Sequence, residues 1–473
     1  MTQAQKRSSP PPIVFILLGL ALVFAIPKAA SMIGQLRFGH SNHDRISFGE
    51  KSLIASGAIA EKQKGVEAYA EKNYSTALEQ FEDALRQQRN DPETVIYRNN
   101  AKAYANHQKV LQVAVSVPIG SNPNVASEIL RGVAQAQDEI NTKGGQFALV
   151  VGIADDKNDP ETAKQIATEL TKNDQILAVI GHNASNVSLE AAPIYQQAGL
   201  VMVSPTSFAS TLSGIGSYIF RTVPTTRAMA NRLAEYTVKT AQKSEVAVCY
   251  DSKSADSASF KDEFAAALAD QGGRIVPTIC DFASPTFNSI AAMQEMRSRG
   301  AKAIVLVPHV DRIPKAIELA KANQGQVALL SSPTLYTFQT LQEGKSDING
   351  LVFPAAWHPQ TYRGSFGVAP SANRPFSQAA RQLWGGEVSW RTATSYDAVE
   401  AISVGLQQNQ SRSGLQQALR SSSFAVDGAG ETVRFDPQTG DRKLLVQLVQ
   451  VQQSNVSRSG TGYDFVALEP RDR

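Results

Sequence analysis

The sequence predicts an α/β protein in which two lobes, each built on a parallel sheet, follow an N-terminal membrane segment and an α-helical hairpin. From Leu111 onward, short apolar strands alternate with helical stretches, a rhythm typical of βαβ units and parallel sheets. The rhythm begins again after Arg221–Pro224, so the unit occurs twice. With 473 residues, the chain is also too long for one hydrophobic core. Two equivalent units in series therefore predict two lobes with a cleft between them.

The composition is that of a globular protein with nearly balanced charge. The chain has 46 Lys and Arg residues against 43 Asp and Glu residues, and no long basic run follows the extreme N-terminus. Because phosphate-backbone binding depends on clustered positive charge, we do not expect nucleic acid as a partner. The histidines are scattered and the two cysteines form no Cys-x-x-Cys pair, so we expect neither a metal site nor a cofactor.

Residues 1–35 predict a membrane anchor or an export signal. Lys6 and Arg7 precede an almost wholly apolar stretch, Ile13–Ile26, which is the pattern of a signal's basic and hydrophobic regions. The stretch is shorter than the roughly 20 residues of a typical spanning helix, although its neighbours can extend it. Ala29-Ala30-Ser31 is only a passable cleavage site. We therefore expect an uncleaved helix that leaves the rest of the chain outside the cytoplasm.

Residues 56–107 predict a short helical hairpin. Between Gly65 and Leu85, small or apolar residues recur three and four apart, and Asp91-Pro92-Glu93 begins a further helix. The positions that resemble the signature of a tetratricopeptide repeat are Gly65, Tyr74, Ala77, Phe81, Ala84, Ala101 and Tyr104. One and a half repeats fall short of the three or so that stack stably alone. The segment is thus either a spacer docked on its neighbour or a module that contacts a peptide or another protein.

The alternation that follows is regular enough to place each element. Asp159-Pro160-Glu161 has the N-cap, proline and acidic residue of a helix start. The predicted strands are 111–117, 147–153, 176–180 and 201–204, then 246–250, 275–280, 303–307 and 327–330. The predicted helices are 126–143, one that begins at 159, and 187–197, then 257–270, 288–299 and 311–322. Ligands of open α/β sheets bind outside the carboxyl ends of the strands, so we expect a site between the facing loops.

Eight short stretches, taken in order, give a specific resemblance to one family. They are Glu128-Ile-Leu-Arg-Gly132, Asp159-Pro-Glu-Thr162, Val179-Ile-Gly-His182, Ala192-Pro-Ile-Tyr195, Val203-Ser-Pro205, Phe220-Arg-Thr-Val-Pro224, Ser395-Tyr-Asp-Ala398 and Phe435-Asp-Pro437. Over Leu111–Val466 the sequence resembles the leucine/isoleucine/valine-type solute-binding proteins of ABC transporters.

The resemblance implies the two-lobed type I periplasmic-binding-protein fold over residues 110–466. It places the first lobe at about 110–224 plus 357–394 and the second at about 225–353 plus 395–466. It also places the protein on the periplasmic side of a bacterial inner membrane, held by the N-terminal helix, or free in the periplasm if that segment is cleaved.

In this family, hydroxyls and backbone N–H groups on two first-lobe loops hold the ligand's carboxylate. The loops map onto Asn183–Asn186, where Ser185 fills the family's serine position, and onto Ser204–Phe208. The resemblance therefore implies that Ser185, Asn186, Ser204, Thr206, Ser207 and Phe208 bind the ligand. Both loops follow strands and precede helices, which leaves free N–H groups towards the cleft. The alternative is that these hydroxyls only cap the helices that follow.

On the amine side the sequence departs from the family pattern. Phe208 stands where the family usually has threonine, and Asp256 (or Ala255) where it usually has tyrosine. Pro333 stands where an acid usually pairs with the ligand's ammonium, and His309 lies near an aromatic position. Asp256 either supplies the missing charge or caps the helix 257–270. Because a buried ammonium without a partner is costly, we expect a carboxylate, amide or urea-like ligand, or an amino acid held differently.

The two cysteines follow neighbouring second-lobe strands. Cys249 and Cys280 therefore either form a disulfide, which an exported compartment permits, or remain two buried thiols. Trp357, Trp384 and Trp390 are interpreted as packing or lobe-crossing residues.

The sequence carries no motif of an enzyme: it lacks a Gly-x-Ser-x-Gly elbow, a phosphate-binding Gly-x-x-x-x-Gly-Lys loop and a His-Glu-x-x-His helix. We expect a solute receptor that delivers a small ligand to an ABC permease. The alternative is a tethered ligand sensor or a protein-contact regulator. A helical segment before this fold resembles the outer-membrane lipoprotein activators of peptidoglycan synthases, although the chain lacks their lipid-attachment cysteine.

Overall fold

The computed structural model describes residues 45–54, 59–359 and 374–468. The predicted membrane segment, residues 1–35, lies outside this part, as do residues 56–58 of the predicted hairpin. None of the helices in the described part is long and apolar enough to cross a membrane.

The strands and helices agree with the predicted alternation. The strands are β1 (Ile46–Ser47), β2 (Val110–Val117), β3 (Ala148–Asp155), β4 (Ile176–Ile180), β5 (Val201–Ser204), β6 (Ile219–Arg221), β7 (Glu245–Tyr250), β8 (Arg274–Ile275), β9 (Ala303–Val307), β10 (Ala328–Ser331), β11 (Val352–Ala355), β12 (Val426–Asp427), β13 (Thr432–Val433), β14 (Gln447–Gln453) and β15 (Tyr463–Ala467). The helices are α1 (Ala60–Ala70), α2 (Tyr74–Gln87), α3 (Pro92–Ala105), α4 (Pro123–Lys143), α5 (Pro160–Lys172), α6 (Ser185–Gln197), α7 (Thr226–Glu235), α8 (Ala255–Asp270), α9 (Ser289–Ser298), α10 (Ile313–Asn323), α11 (Phe338–Gly344), α12 (Arg374–Trp384), α13 (Trp390–Gln408) and α14 (Arg412–Arg420).

The first lobe is built on a sheet with the strand order β1-β3-β2-β4-β5-β6. Strands β2 to β6 are parallel, and β1 pairs antiparallel with β3 at the edge. The central strands are buried Val, Ile, Leu and Ala runs, as expected of a sheet covered on both faces. The predicted strands of this lobe are confirmed within two residues at each end. The carboxyl ends of β4 and β5 bring the two predicted ligand loops side by side.

The second lobe has the strand order β15-β14-β11-β10-β9-β7-β8. Strands β7 to β11 are parallel; β14 pairs antiparallel with β11, and β15 pairs antiparallel with β14 at the edge of the sheet. The predicted strand 275–280 is wrong in extent, since the strand beside β7 covers only Arg274–Ile275. Pro277 follows two residues later and has no N–H to donate, so the pairing stops there.

The predicted division of the C-terminal part between the lobes is wrong for residues 395 to about 441, whereas β14 and β15 belong to the second-lobe sheet as predicted. We placed residues 395–466 in the second lobe, but α13 packs along α4, α14 packs against β4 and β5, and all of these belong to the first lobe. Gly132 of α4 permits this packing, because a Cβ there would lie 2.1 Å from the carbonyl oxygen of Thr392 on α13. The guanidinium of Arg221 is bonded to Asp441, so the chain stays in the first lobe to about that residue and then returns with β14.

The N-terminal helices are docked on the first lobe. Helix α3 packs on α4 and β3, and the buried amide of Asn100 bonds to the backbone of Val151 at the sheet edge. At the other end of α3, buried Glu93 lies 2.7 Å from Lys62 on α1 and accepts a hydrogen bond from the N–H of Leu53. Three helices, rather than a hairpin, therefore cover one side of this lobe, and their likeness to a tetratricopeptide repeat stays a prediction.

Cys249 and Cys280 are joined in a disulfide in the second lobe, with their Cα atoms 4.7 Å apart. Cys249 lies in β7, and the N–H of Tyr250 bonds to the carbonyl oxygen of Cys280. The backbone thus holds the two segments in register at the point where the sulfur atoms meet.

Candidate functional site

A buried histidine at the end of β4 holds the two first-lobe loops together. The carbonyl oxygen of His182 accepts hydrogen bonds of 3.0 Å from the hydroxyls of Ser204 and Ser207. Its ring Nδ1 lies 2.7 Å from Asp156 Oδ2, and its Nε2 lies 3.2 Å from the hydroxyl of Tyr195. All of these side chains are buried. The loops after β4 and β5 therefore form one fixed surface towards the cleft.

Four of the predicted first-lobe ligand residues lie in or under these loops rather than at the cleft cavity. Ser185 Oγ accepts from a backbone N–H of the next loop, and Ser204 Oγ accepts from the N–H of Ser207. Ser207 Oγ is bonded within the loops, and Asn186 is half-buried on α6. These hydroxyls tie loop to loop, so their direct contact with a ligand stays a prediction.

A small cavity of about 20 Å³ lies between the lobes. It is lined by Asn183, Ala184, Thr206, Phe208, Trp390 and Arg391 of the first lobe and by Asp256, His309, Val310 and Thr334 of the second. A volume of this size holds about one water molecule. A larger ligand therefore requires the lobes or their side chains to move apart. Of the predicted ligand residues, the structure brings Thr206, Phe208, Asp256 and His309 to this cavity.

On the second-lobe side, two predicted positions need correction. Asp256 does not cap its helix: Ser254 is the N-cap of α8, and its hydroxyl donates to Asp256 Oδ1 over 2.6 Å. Asp256 is a buried residue of the first helical turn. Pro333 is buried in a tight turn and does not line the cavity; the next residue, Thr334, does. A neutral hydroxyl, that of Thr334, therefore lines the cavity beside Pro333.

His309 is a buried donor at the cavity. Its Nδ1 accepts from the N–H of Asp311 over 3.3 Å and lies equally far from the Asp311 carboxylate. Burial lowers the pKa of His309, but the hydrogen bond to Asp311 and the negative charges of Asp256, Asp311 and Asp251 outweigh it, so the pKa lies above its ordinary value. The ring Nε2 is buried and has no hydrogen-bond partner among the described residues.

Sequence reasoning missed two first-lobe residues of the site, Trp390 and Arg391. They begin α13, directly after the chain has returned from the second lobe, and both line the cavity. Trp390 is therefore not only a packing residue. Burial lowers the pKa of Arg391, and the charge of Glu128 opposes this effect. The signal available in the sequence was their place just before the Ser395–Ala398 stretch.

The lobes touch in this structure, so the cleft is closed. At one edge, the hydroxyl of Ser210 donates to Glu263 Oε1 over 3.2 Å, and the N–H of Ser210 donates to the hydroxyl of Ser259. At the cavity, Arg391 Nη1 donates to the carbonyl oxygen of Tyr336 in the second lobe over 2.9 Å.

A larger cavity, of about 650 Å³, is lined by other residues. Glu128 and Tyr336, which hold the guanidinium, both line it. None of the loops after β4, β5, β7 or β9 lines it. We assign the ligand site to the smaller cavity, because the loops after β4 and β5, which the sequence predicts to hold the ligand, contribute to it and do not line the larger one.

Comparison with known proteins agrees with this geometry. The periplasmic binding protein family matches residues 110–457. The amino acid binding protein of Pseudomonas aeruginosa is 29% identical over 154 residues, which are 32% of this chain and 39% of that protein. The leucine-specific-binding protein of Salmonella typhimurium is 34% identical over 123 residues, which are 25% of this chain and 33% of that protein. The chain thus spans about a third to two fifths of the length of these relatives.

Solved structures share the fold at low sequence identity. The leucine binding protein of Thermotoga maritima superposes with a TM-score of 0.66 at 19% identity, over 76% of this chain and 99% of that one. The branched-chain amino acid transporter substrate binding protein of Streptococcus pneumoniae, in complex with isoleucine, superposes with a TM-score of 0.64 at 17% sequence identity. The match covers 76% of this chain and 100% of that one. A solute binding protein of an ABC transporter from Rhodopseudomonas palustris, in complex with 3,4-dihydroxybenzoic acid, superposes with a TM-score of 0.64 at 16% sequence identity. The match covers 76% of this chain and 96% of that one. With its two sheets, its strand-end loops and the family match over most of its length, the chain belongs to the periplasmic binding protein family.

Proposed function

We propose that the protein is an extracytoplasmic solute-binding protein. It captures a small polar ligand, an amino acid or a related carboxylate or amide, by closing its two lobes, and delivers that ligand to an ABC permease. The observation that carries the proposal is the closed interlobe cavity, to which both lobes contribute polar side chains. A binding protein needs both lobes to contact the ligand, because only contacts made in the closed form shift the equilibrium towards closure.

The relatives support the class of ligand. Two of those named above are described as binding leucine or amino acids, and two of the structural neighbours hold isoleucine or a dihydroxybenzoic acid. A carboxylate is common to these ligands. The chain differs from the family pattern at Phe208, Asp256 and Pro333, so its preferred solute need not be leucine.

The direct test is thermal unfolding of the purified full chain against a panel of amino acids, amine-free acids and amides. A ligand at 100 times its dissociation constant adds about 2.7 kcal/mol, which raises the unfolding midpoint by several degrees. As a control, Thr334→Trp fills the cavity and should remove the rise, whereas Thr286→Trp, at an exposed position of the same lobe, should keep it. A panel without any rise would contradict solute capture.

Delivery to a permease is tested by uptake of the ligand that the panel identifies. Cells that lack the protein should take up less of this ligand, and the wild type but not Thr334→Trp should restore uptake. If the ligand binds but uptake does not depend on the protein, the alternative of a tethered sensor or protein-contact regulator gains support.

We also propose that the N-terminal segment holds the protein on the periplasmic side of the inner membrane, with α1–α3 as a spacer fixed to the first lobe. The buried contacts of Asn100 and Glu93 support a fixed spacer over a free peptide-binding module. Fractionation of cells should recover the intact chain with the membrane, and protease should reach it only after the outer membrane is opened. Soluble protein of lower mass in the periplasm would instead show cleavage.

A further inference from the structure

We propose that Arg391 binds the anionic group of the ligand, and that this guanidinium makes the site selective for small carboxylic acids whether or not they carry an amine. The inference rests on the proposed solute-binding function and names the solute class.

The contacts of Arg391 leave part of its guanidinium for a ligand. The residue is only 3% exposed and lines the interlobe cavity. Its Nη1 donates to Glu128 Oε2 over 3.2 Å and to the carbonyl oxygen of Tyr336 over 2.9 Å. The guanidinium carbon lies 4.6 Å from the centre of the Trp390 ring. Nε is buried and has no acceptor among the described residues. A buried N–H group without an acceptor is unfavourable, and a carboxylate is the natural partner of a guanidinium.

Two further buried donors at the cavity also lack an acceptor among the described residues. The indole Nε1 of Trp390 is buried and lacks an acceptor in the described part of the chain. The Nε2 of His309 also lacks a partner there. Because His309 Nδ1 accepts from the N–H of Asp311, the neutral ring carries its proton on Nε2, and the charged ring carries a proton on both nitrogens. In either state Nε2 donates, so residues of both lobes offer donors to one acceptor-rich group.

Among the described residues, Asp256 is the one carboxylate that lines the cavity, and its Oδ1 accepts from the hydroxyl of Ser254. His309 stands among the negative charges of Asp256, Asp311 and Asp251, which favour the protonated ring that donates from both nitrogens. A ligand carboxylate at this position would satisfy donors that have no acceptor among the described residues. Thr334 supplies a neutral hydroxyl beside Pro333, the residue that stands where the family pattern has an acid.

This arrangement differs from the family pattern described above, in which hydroxyls and backbone N–H groups of the first lobe hold the carboxylate. Here the hydroxyls of Ser204 and Ser207 already donate hydrogen bonds to the carbonyl oxygen of His182. Arg391, whose guanidinium is paired with Glu128, lines the cavity instead.

The experiment measures binding to the purified full chain by calorimetry, with matched acids and amides as probes. The pairs are 4-methylpentanoate and 4-methylpentanamide, benzoate and benzamide, and leucine and leucinamide. We expect each acid that binds to do so at least about 10-fold more tightly than its amide, as for a hydrogen bond to a charged group. We expect leucine to bind within a few-fold of 4-methylpentanoate.

Three variants locate the effect. Arg391→Gln should weaken the binding of acids by about 10- to 100-fold and change the binding of amides little. Arg391→Lys should retain part of the affinity for acids because it keeps the charge. Glu128→Gln leaves Arg391 in place and removes its carboxylate partner, so acids should bind a few-fold more tightly. This variant tests the inference even if Arg391→Gln does not fold.

The outcomes separate the two proposals. Equal binding of acids and amides, equal weakening of both by Arg391→Gln, or weaker binding of acids to Glu128→Gln would overturn the role of Arg391 and leave solute capture intact. Binding of no probe of any kind would overturn the proposed function together with this inference.

Discussion

Glu400 provides the sharpest test of the packing between α4 and α13. Its side chain is buried in the first lobe, and Oε1 has no hydrogen-bond partner among the described residues. Burial raises the pKa of Glu400 from its ordinary 4.5 to about 7; Lys143 opposes this rise, and the negative charge of Glu139 adds to it. We predict that Glu400→Gln stabilises the protein at pH 8 and not at pH 4.

The magnitude follows from the pKa. A rise of about 2.5, at about 1.4 kcal/mol per unit, corresponds to about 3 kcal/mol. Between pH 4.5 and pH 7 the unfolded chain loses the proton of Glu400 while the folded chain retains it. The folded state binds more protons in this range, so its stability falls as the pH rises. Glutamine carries no charge to bury and removes this loss, which is complete above pH 7 and absent below pH 4.5.

The assay is urea unfolding of the full chain, wild type and variant, at pH 4, 6 and 8. The difference in unfolding free energy should grow from near zero to about 3 kcal/mol in favour of the variant. Glu82→Gln, at an exposed position of α2, is the control and should show no such trend. A difference that does not change with pH, or a variant less stable at pH 8, would refute the reasoning.

Three further effects should be measurable by the same unfolding assay. Replacing Cys249 and Cys280 by alanine opens a loop with a sequence separation of 31 and should lower stability by about 3.7 kcal/mol; an unchanged unfolding curve would count against the bond. Gly132→Ala should cost about 3 kcal/mol, because its Cβ would meet backbone 2.1 Å away, whereas Gly145→Ala, which meets nothing within 4 Å, should cost far less. Burial lowers the pKa of His358 to about 4, so a contribution of about 3 kcal/mol to the free energy of unfolding should be lost as the pH falls from 6.5 to 4. His358→Gln should remove this part of the acid sensitivity. An unaltered dependence of stability on acid pH would contradict this prediction.

The periodic part of the fold was predictable because it is local. Apolar runs, N-cap residues and stop signals predict strands such as Val201–Ser204 and helices such as Pro160–Lys172. The extent of the strand after Gly273 was not predicted correctly, because the proline at 277 outweighs the strand propensity of its neighbours. The side of the cleft taken by residues 395–441 depends on long-range packing of α13 on α4, and no local pattern encodes that.

The candidate site divides in the same way. Thr206 and Phe208 were predictable because they follow a strand whose end faces the cleft. Trp390 and Arg391 come almost 200 residues later in the chain and reach the cavity only because α13 returns to the first lobe. Asp256 was predicted for the cavity, but its engagement by Ser254 required the geometry of the turn.

The position of Arg391 connects ligand binding to closure. Thr392 Oγ1 donates to the carbonyl oxygen of Glu128, so the start of α13 is fixed to α4 and moves with the first lobe. Arg391 Nη1 reaches Tyr336 of the second lobe only when the lobes are together. Closure without ligand buries donor groups of Arg391, Trp390 and His309 that have no hydrogen-bond partner among the described residues, and each such group costs about 1–3 kcal/mol. A carboxylate that satisfies them removes this penalty in the closed form alone, which is the differential affinity that a ligand needs to shift the lobes towards closure.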